Sequence, residues 1–386
     1  MFRGILGKVI ATYVPEVGRD VLSESMIREL TAHRGDPIVT SFYLDVDGRT
    51  YPRPSDLEPK IAHLYRVARH EAVALGGDTI QAVESDLARI GAWLSEGLDR
   101  RETRGVAAFS CAANGFFSTF ALPVSVADEI SLDRRPHVAP LLVALEAAKP
   151  CLVVLADHVR ARLLRIEDGE VSERAGPFDE IPRQVDTDVE LGSFSRHDEE
   201  ALRRHLRSVA DAVEHELRLR PVDYLILGGP AAAELEHHLR GAEVRRVDGR
   251  VDVAMTAPRD EVAAAGRCLL ADLERRRKAE LVGDLLERAG AGATLGFSST
   301  LDALAERRVA TLVVGRGLKA RGVRCRECGQ LGVEPGSCPR CGGTLDEVAD
   351  LVEAAIAEGL GEGASVEFVD APELDAAGGM GSIERY

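Results

Sequence analysis

The feature that most restricts the fold of this chain is a set of four cysteines near its C-terminal end. Cys325 and Cys328 are separated by two residues, as are Cys338 and Cys341, and nine residues lie between the pairs. Two such knuckle turns supply the four thiolates of a tetrahedral site, and four protein ligands leave no open position for chemistry. Disulfides are less compatible with a reducing cytoplasm, and redox dithiols would not come in matched pairs. The spacing therefore predicts one structural Zn²⁺ that folds an insert over 324–343.

The remaining three cysteines stand alone in the sequence. Cys111, Cys151 and Cys268 have no partner at metal-ligand spacing, and apolar residues surround them. Free cysteine is among the most buried residue types. We expect three buried free thiols.

Length and composition limit the class of protein. The chain has 386 residues, 45% hydrophobic and 29% charged, enough for two to three folded domains. The net charge of −16 excludes a protein that coats nucleic acid by bulk charge, so any RNA contact must come from local basic patches. No apolar run approaches the roughly 20 residues of a membrane span, and residues 2–13 make a poor signal peptide. These observations predict a cytoplasmic protein.

Hydrophobic patterning predicts an α/β fold of three mixed α/β domains. Their predicted bounds are 1–146, 147–278 and 279–386. In the first domain, a β-branched and aromatic strand at 37–46 precedes two amphipathic helices within 57–98, and Gly76 separates the helices. A strand hairpin at 106–122 follows, with Asn114-Gly115 at its turn.

The second and third predicted domains have similar patterns. In the second, a strand pair at 152–166 precedes a long helix at 195–217 and a buried strand at 224–228. A helical segment at 260–289 follows, with an interruption expected near Gly266. The third predicted domain is a small α/β/α sandwich that carries the zinc insert, with its final helix at 345–358 and a strand at 365–369.

Charge is distributed unevenly in the long helix and in the third domain. Arg203, Arg204 and Arg207 lie on one face of the long helix, which predicts either an RNA contact or an ordinary solvated face. In the third domain, basic residues approach the zinc knuckle, whereas the segment after Leu345 is acidic. We expect the basic knuckle to suit RNA and the acidic segment to suit a protein partner or to be a solvated helix face. The basic residues are Arg316, Lys319, Arg321, Arg324 and Arg326.

The C-terminal sequence resembles a known family. Gly378-Gly379-Met380-Gly381-Ser382-Ile383-Glu384-Arg385-Tyr386 is similar to the signature that ends the third domain of archaeal and eukaryotic class I peptide-chain release factors. Archaeal members carry a four-cysteine insert in that domain, and the strand pair, polar loop and long helix resemble the central domain, so the resemblance covers about 151–386. The segments 41–45 and 133–136 resemble the bacterial branch. The chain is identified as a bacterial member of the Pelota/release-factor superfamily, which implies its three α/β domains.

The catalytic loop of that family is missing from this sequence. Release factors carry Gly-Gly-Gln at the start of the long central helix, whereas the matching stretch 190–197 has one glycine and no glutamine. Ester hydrolysis requires that loop to position water, and no other enzyme signature is present, so we expect no catalysis. The remaining aromatic and basic groups are suited to RNA binding without cleavage. The predicted rRNA-binding residues are Gly192, Ser193, Phe194, Ser195, Arg196, His197, Arg203, Arg204 and Arg207.

The resemblance implies a function on the ribosome. A release-factor-like protein without the Gly-Gly-Gln loop is similar to the Balon-type ribosome hibernation factors, which implies a catalytically silent protein in the aminoacyl-tRNA site. A translational GTPase of the elongation-factor type is the implied partner of the third domain. Two alternatives stay open: a rescue or termination factor that hydrolyses peptidyl-tRNA through a diverged loop, and an interaction module that does not act on ribosomes.

Overall fold

The computed structural model divides the chain into two compact units. Unit 1 consists of Met1–Ala147 together with Val282–Tyr386, and unit 2 consists of Ala148–Leu281. The bounds of unit 2 lie close to those of the predicted central domain, and the division of the remaining chain into a first and a third domain stays a prediction. For residues 196–199 and 240 only the backbone is described. The described residues are 22–33, 38–96, 100, 103–167, 170–174, 196–240 and 247–385.

The N-terminal segment of unit 1 is an antiparallel sheet with helices on both faces. Its strands lie in the order β3-β2-β1-β4. Phe42 on β1 packs with Leu64 of α2 and Leu87 of α3 on one face, whereas Tyr43 faces a second hydrophobic cluster. The strands and helices predicted for this segment are confirmed, whereas α1, β4 and α4 were not foreseen. The elements are α1 (Glu24–Ala32), β1 (Val39–Asp45), α2 (Glu58–Leu75), α3 (Gly77–Ser95), β2 (Gly105–Cys111), β3 (Phe116–Leu122), β4 (Glu129–Asp133) and α4 (Ala139–Ala147).

Unit 2 is a mixed five-stranded sheet with helices on both faces. Its strand order is β7-β6-β5-β8-β9, in which β8 is parallel to β5 and β9 and the pairs β5–β6 and β6–β7 are antiparallel. Helices α5 and α6 pack together on one face, and α7 packs on the other. The elements are β5 (Cys151–Ala156), β6 (Ala161–Glu167), β7 (Glu170–Arg174), α5 (Arg196–Leu219), β8 (Tyr224–Gly228), α6 (Ala232–Arg240), β9 (Gly249–Val251) and α7 (Arg259–Glu287).

The interruption expected near Gly266 is absent, because α7 is one continuous helix over Arg259–Glu287. A Cβ atom at Gly266 would lie 3.0 Å from both Ile166 Cδ1 and Val153 Cγ2. The glycine therefore lets the helix approach the sheet closely and does not end it.

The C-terminal segment of unit 1 is a four-stranded sheet with a small three-stranded insert. The main sheet has the order β10-β16-β11-β15, and the insert sheet the order β13-β12-β14. The glycine-rich ending forms β16, a central strand, and a Cβ at Gly381 would lie 2.7 Å from the carbonyl oxygen of Thr294. The elements are β10 (Ala293–Leu295), α8 (Phe297–Ala305), β11 (Val309–Gly315), β12 (Gly322–Cys325), β13 (Leu331–Gly332), β14 (Leu345–Val348), α9 (Leu351–Gly361), β15 (Ser365–Val369), α10 (Pro372–Ala376) and β16 (Met380–Glu384).

The helix predicted at 345–358 begins later than expected. Residues Leu345–Val348 form β14, which pairs with β12, and α9 starts only at Leu351. The Asp350 carboxylate accepts hydrogen bonds from the backbone N–H groups of Val352 and Glu353, so Asp350 is the N-cap of α9. The acidic residues before it therefore belong to a strand.

The two segments of unit 1 share one hydrophobic cluster. Ile27 of α1 and Leu141 of α4 belong to the same cluster as Leu304 of α8 and Ile356 of α9. The Arg28 guanidinium donates to the carbonyl oxygens of Leu360 and Ala364, at 3.5 Å each, near the C-terminal end of α9. The N-terminal helix is therefore part of the packing of the C-terminal segment.

Candidate metal centre and basic helix face

The four predicted ligands lie on two knuckles with the same backbone geometry. In the first, the Cys325 N–H donates to the Gln330 carbonyl and the Gly329 N–H to the Cys325 carbonyl. In the second, the Cys338 N–H donates to the Gly343 carbonyl and the Gly342 N–H to the Cys338 carbonyl. Gly329 and Gly342 have φ angles of 77° and 74°, in the left-handed region that favours glycine. Each C-x2-C-G sequence therefore forms a tight turn with both sulfurs on one side.

The sulfur positions fit a tetrahedral metal ion. All four Sγ atoms lie within 4.8 Å of one another. Cys325 Sγ is 3.4 Å from Cys341 Sγ, and Cys328 Sγ is 3.5 Å from both Cys338 Sγ and Cys341 Sγ. These distances exceed the roughly 2.05 Å of a disulfide and approach the roughly 3.8 Å expected between thiolates with metal–sulfur bonds of about 2.3 Å. The four thiols could therefore hold one metal ion.

The insert is attached to the core of unit 1 through its short sheet. Cys325 ends β12 and is 2% exposed, and Cys338 is 3% exposed, whereas Cys328 and Cys341 are exposed. Leu331 of β13 belongs to the hydrophobic cluster of unit 1. A metal site with two buried and two exposed sulfurs at the end of this sheet is suited to holding the insert against the core of unit 1.

Two of the three lone cysteines are buried, as the sequence predicted. Cys111 and Cys151 are buried, and burial is the main cause that raises the pKa of each thiol, to about 12 for Cys151. The prediction for Cys268 was wrong, because this residue is exposed on α7. Leu269 and Leu270 follow it in sequence but Arg267 precedes it, and its side chain faces solvent.

The charge expected at the knuckle is largely neutralised by ion pairs. Arg324 lies 3.2 Å from Glu358, Arg326 pairs with Asp346 at 2.5 Å, and Arg316 with Asp370 at 3.1 Å. Lys319 pairs with Glu129 at 2.8 Å. Four of the five basic side chains thus have an acidic partner. These partners are distant in the sequence, and one of them, Asp346, lies on a strand that was expected to be a helix. The basic knuckle predicted from sequence does not form a free cationic surface.

A buried polar network joins the two segments of unit 1. The Nδ1 of His137 is 2.9 Å from Glu353 Oε2, and its Nε2 is 3.6 Å from Glu129 Oε2. Burial alone would lower the pKa of His137, but the charges and hydrogen bonds of Glu353 and Glu129 outweigh it and raise the pKa to about 10. The hydrogen bond from His137 is the main cause that lowers the pKa of Glu129 to about 2, against burial and with the help of Lys319. These charged side chains connect the N-terminal and C-terminal segments of unit 1.

Glu353 also holds the start of α4. Its carboxylate accepts hydrogen bonds from the backbone N–H groups of Val138 and Ala139, at the positive end of the α4 dipole. Glu353 is 8% exposed, and the Asp350 carboxylate is engaged as a helix cap. These two residues are therefore not part of a solvated acidic face open to a partner. No motif in the sequence pointed to this network, because its members are far apart along the chain.

The basic face of the long helix is present in unit 2. Arg203, Arg204 and Arg207 are exposed on α5, and no ion pair involves them among the residues whose side chains are described. On the opposite face, Leu206 and Val209 are buried against the sheet and α6. The cationic groups are therefore directed to solvent in the first half of the helix.

The predicted loop contacts lie outside what the structure describes. Gly192, Ser193, Phe194 and Ser195 are not among the described residues. Their proposed roles stay predictions. Arg196 and His197 begin α5, of which only the backbone is described at these two positions.

One family model matches the central part of this chain. Residues 136–266, which include α5 and its basic face, match the model of bacterial archaeo-eukaryotic release factor family 10. This part of the chain is therefore similar to a bacterial release-factor family, and the chain as a whole has a mixed α/β fold. Among curated proteins, none matches the chain. Among the described helices, none is long and apolar enough to cross a membrane.

Solved structures of release-factor relatives resemble the chain at low identity. The C-terminal domain of the peptide chain release factor from Methanosarcina mazei has 27% identity over 34% of this chain and 98% of that domain, with a TM-score of 0.26. Ribosome-bound archaeal Pelota, in a structure with ABCE1, has 15% identity over 70% of this chain and 72% of its own, with a TM-score of 0.40. Dom34 of S. cerevisiae, a translation termination-like factor that interacts with Hbs1, has 12% identity over 75% and 81%, with a TM-score of 0.40. The superpositions add nothing to the family match, because the scores lie below 0.5.

Proposed function

We propose that this protein binds the ribosome in the aminoacyl-tRNA site without hydrolysing peptidyl-tRNA, and protects idle ribosomes during hibernation. The observation that carries the proposal is the release-factor family match over 136–266 on a chain whose 386 residues contain no Gly-Gly-Gln sequence. Release factors act on ribosomes, and the water-positioning loop is the part that this sequence has replaced.

The basic face of α5 supports an RNA contact. Arg203 and Arg207 are four residues apart, so their side chains project from the same face of the helix, and both are exposed. Each cation that neutralises a phosphate releases counterions, which strengthens binding at low salt. A local cationic face lets an acidic protein dock on rRNA.

The four-cysteine site has a structural part in this proposal. We propose that the ion is Zn²⁺, since four thiolates in tetrahedral arrangement favour it and leave no open position. When bound, zinc supplies folding energy to the insert and takes no part in a reaction. Its residues, Cys325, Cys328, Cys338 and Cys341, hold β12 and the second knuckle together. A translational GTPase stays the predicted partner of the C-terminal segment. Asp350 and Glu353 are not part of the predicted contact surface, because both carboxylates are engaged within the fold.

Two measurements test the proposal. The tagged full chain should sediment with 70S particles from starved cells, and a profile persistently free of ribosomes would favour the non-ribosomal interaction module. Purified protein should release no peptide from ribosomes loaded with peptidyl-tRNA above the rate of ribosomes alone. Peptide release well above that rate would favour the alternative, a rescue factor with a diverged loop.

A further inference from the structure

The basic face of α5 continues onto the neighbouring helix. Helices α5 and α6 pack side by side, with Leu206 and Val209 of one in the same hydrophobic cluster as Leu235 and Leu239 of the other. On α6, His237 is exposed, and His238, which precedes the buried Leu239, is half-buried. The histidine pair therefore lies on the solvent side of the helix that flanks the arginines.

The arginines of α5 and the histidines of α6 influence one another electrostatically. Burial is the first cause that lowers the pKa of His238, and the positive charges of Arg207, His237 and Arg203 lower it further. Because α5 and α6 pack side by side and these side chains are exposed or half-buried, they lie on one solvent-facing surface. The four cationic or potentially cationic groups thus form one cluster across two helices.

Among the side chains that the structure describes on the two helices, the carboxylates in ion pairs have partners outside this cluster. Glu236 of α6 is paired with Arg250 of β9 at 2.6 Å, and Glu214 of α5 with Arg218 at 3.4 Å. Further exposed acidic residues of the two helices make no ion pair with the cluster among the described side chains; they are Glu200, Asp211 and Glu234. A surface with two arginines and two histidines, with which no described carboxylate forms an ion pair, is suited to phosphate groups.

We propose that Arg203, Arg207, His237 and His238 form one phosphate-binding surface across α5 and α6, and that it binds the RNA backbone with uptake of protons. The inference deepens the proposed function, on which it rests for its ligand on the ribosome. The chemistry follows from the histidines: a phosphate next to an imidazole favours the protonated ring. Burial and the neighbouring positive charges lower the pKa of His238 in the free protein, and contact with a phosphate opposes this shift, so binding strengthens as the pH falls through the range in which histidine is protonated.

The test measures binding of the full chain to a short RNA duplex of mixed sequence at pH 6.0 and pH 8.0 over a series of salt concentrations. The wild type should bind about threefold or more tightly at pH 6.0, and its log K against log[salt] should be steeper by about 0.9 for each added phosphate contact. The variant H237Q/H238Q should retain the affinity of the wild type at pH 8.0 and lose the gain at pH 6.0. The variant R203Q/R207Q should be weaker at both pH values.

The matched control is His63→Gln, an exposed histidine on α2 in unit 1. This variant should keep the pH dependence of the wild type. A gain at pH 6.0 that persists in H237Q/H238Q, or no gain in the wild type, would overturn the inference.

The same variants separate this inference from the proposed function. If binding to the RNA duplex depends on pH as expected but the protein does not sediment with ribosomes, the phosphate-binding surface is supported and the ribosomal role is contradicted. If the protein sediments with ribosomes but H237Q/H238Q binds the RNA duplex with the pH dependence of the wild type, the ribosomal role is supported and the part of the histidines in RNA binding is contradicted. Circular dichroism of each variant establishes that a loss of binding does not come from unfolding.

Discussion

His137 Nδ1 lies 2.9 Å from Glu353 Oε2, and this contact joins the N-terminal and C-terminal segments of unit 1. Removal of one partner from a buried ion pair leaves an uncompensated charge, which typically costs about 3–5 kcal/mol. We expect Glu353→Gln to lower the free energy of unfolding, measured in urea, by about 3 kcal/mol. It should have a much larger effect than Glu347→Gln, an exposed residue of β14, which should stay within about 0.5 kcal/mol of wild type. Equal effects would contradict a structural role for the pair.

The same network predicts how stability depends on pH. The pKa of His137 rises from its ordinary 6.5 to about 10 on folding, so its contribution is fully present below about pH 6.5 and is lost as the pH rises toward 10. The pKa of Glu129 falls to about 2, so its contribution is present above about pH 4.5 and is lost as the pH falls toward 2. The difference in Tm between wild type and His137→Gln should therefore shrink between pH 6.5 and pH 10 in calorimetry. A constant difference over this range would argue that His137 is not protonated in the folded protein.

Local sequence signals predicted the elements that depend on local interactions. The strand at 365–369 matches β15, and the separation of α2 from α3 follows from Gly76, whose φ is 113°. The strand β14 was missed, because its pairing with β12 comes from a knuckle insert and its acidic sequence resembles the start of a helix. Half-buried β4, at the edge of its sheet, was missed because only pairing with β1 defines it.

In the candidate sites, too, local sequence signals predicted local features, whereas contacts between distant elements could not be predicted. The spacing of the cysteines predicted the cluster, because each knuckle closes over a few residues. The partners of Lys319 and Arg324 could not be predicted, since they come from other elements of the fold. The placement of the helix that carries His238 next to the helix that carries Arg207 likewise depends on tertiary packing.

Two glycines of α7 are predicted to respond differently to substitution. A Cβ at Gly283 would meet no atom within 4 Å, whereas one at Gly266 would lie 3.0 Å from two side chains of the sheet. Gly283→Ala should raise the free energy of unfolding by about 0.5–1 kcal/mol, because alanine has the higher helix propensity. Gly266→Val should lower it by about 1–3 kcal/mol through overpacking. Chemical denaturation of both variants checks this, and a stabilising Gly266→Val would show that the helix can move away from the sheet.

The metal prediction has a matched control in the same chain. Freshly purified protein should contain one equivalent of zinc, and Cys338→Ser should lose it, because one of four thiolates is removed. Cys268→Ser changes an exposed cysteine of α7 outside the cluster and should retain the metal. Elemental analysis by mass spectrometry measures both. Metal-free wild type would end the claim, and equal loss in the two variants would show that the metal is not bound by the cluster.

The basic face of α5 provides a test of ribosome binding that uses charge alone. Arg203, Arg204 and Arg207 are exposed and unpaired among the described side chains, so their replacement should leave the core that Leu206 and Val209 form intact. The triple change to Glu should weaken binding to 70S ribosomes, and it should flatten the dependence of log K on log[salt] by about 0.9 for each lost phosphate contact.

The control for this test is Arg218→Glu, at the other end of the same helix. Arg218 is 73% exposed and pairs with Glu214 at 3.4 Å, so its reversal changes net charge without a change to the first half of α5. It should bind ribosomes with nearly the wild-type salt dependence. If the triple variant and Arg218→Glu lose affinity equally for each reversed charge, the effect comes from the net charge of the protein and the α5 face is merely solvated. If the triple variant alone has the flatter slope, these arginines contact phosphates on the ribosome.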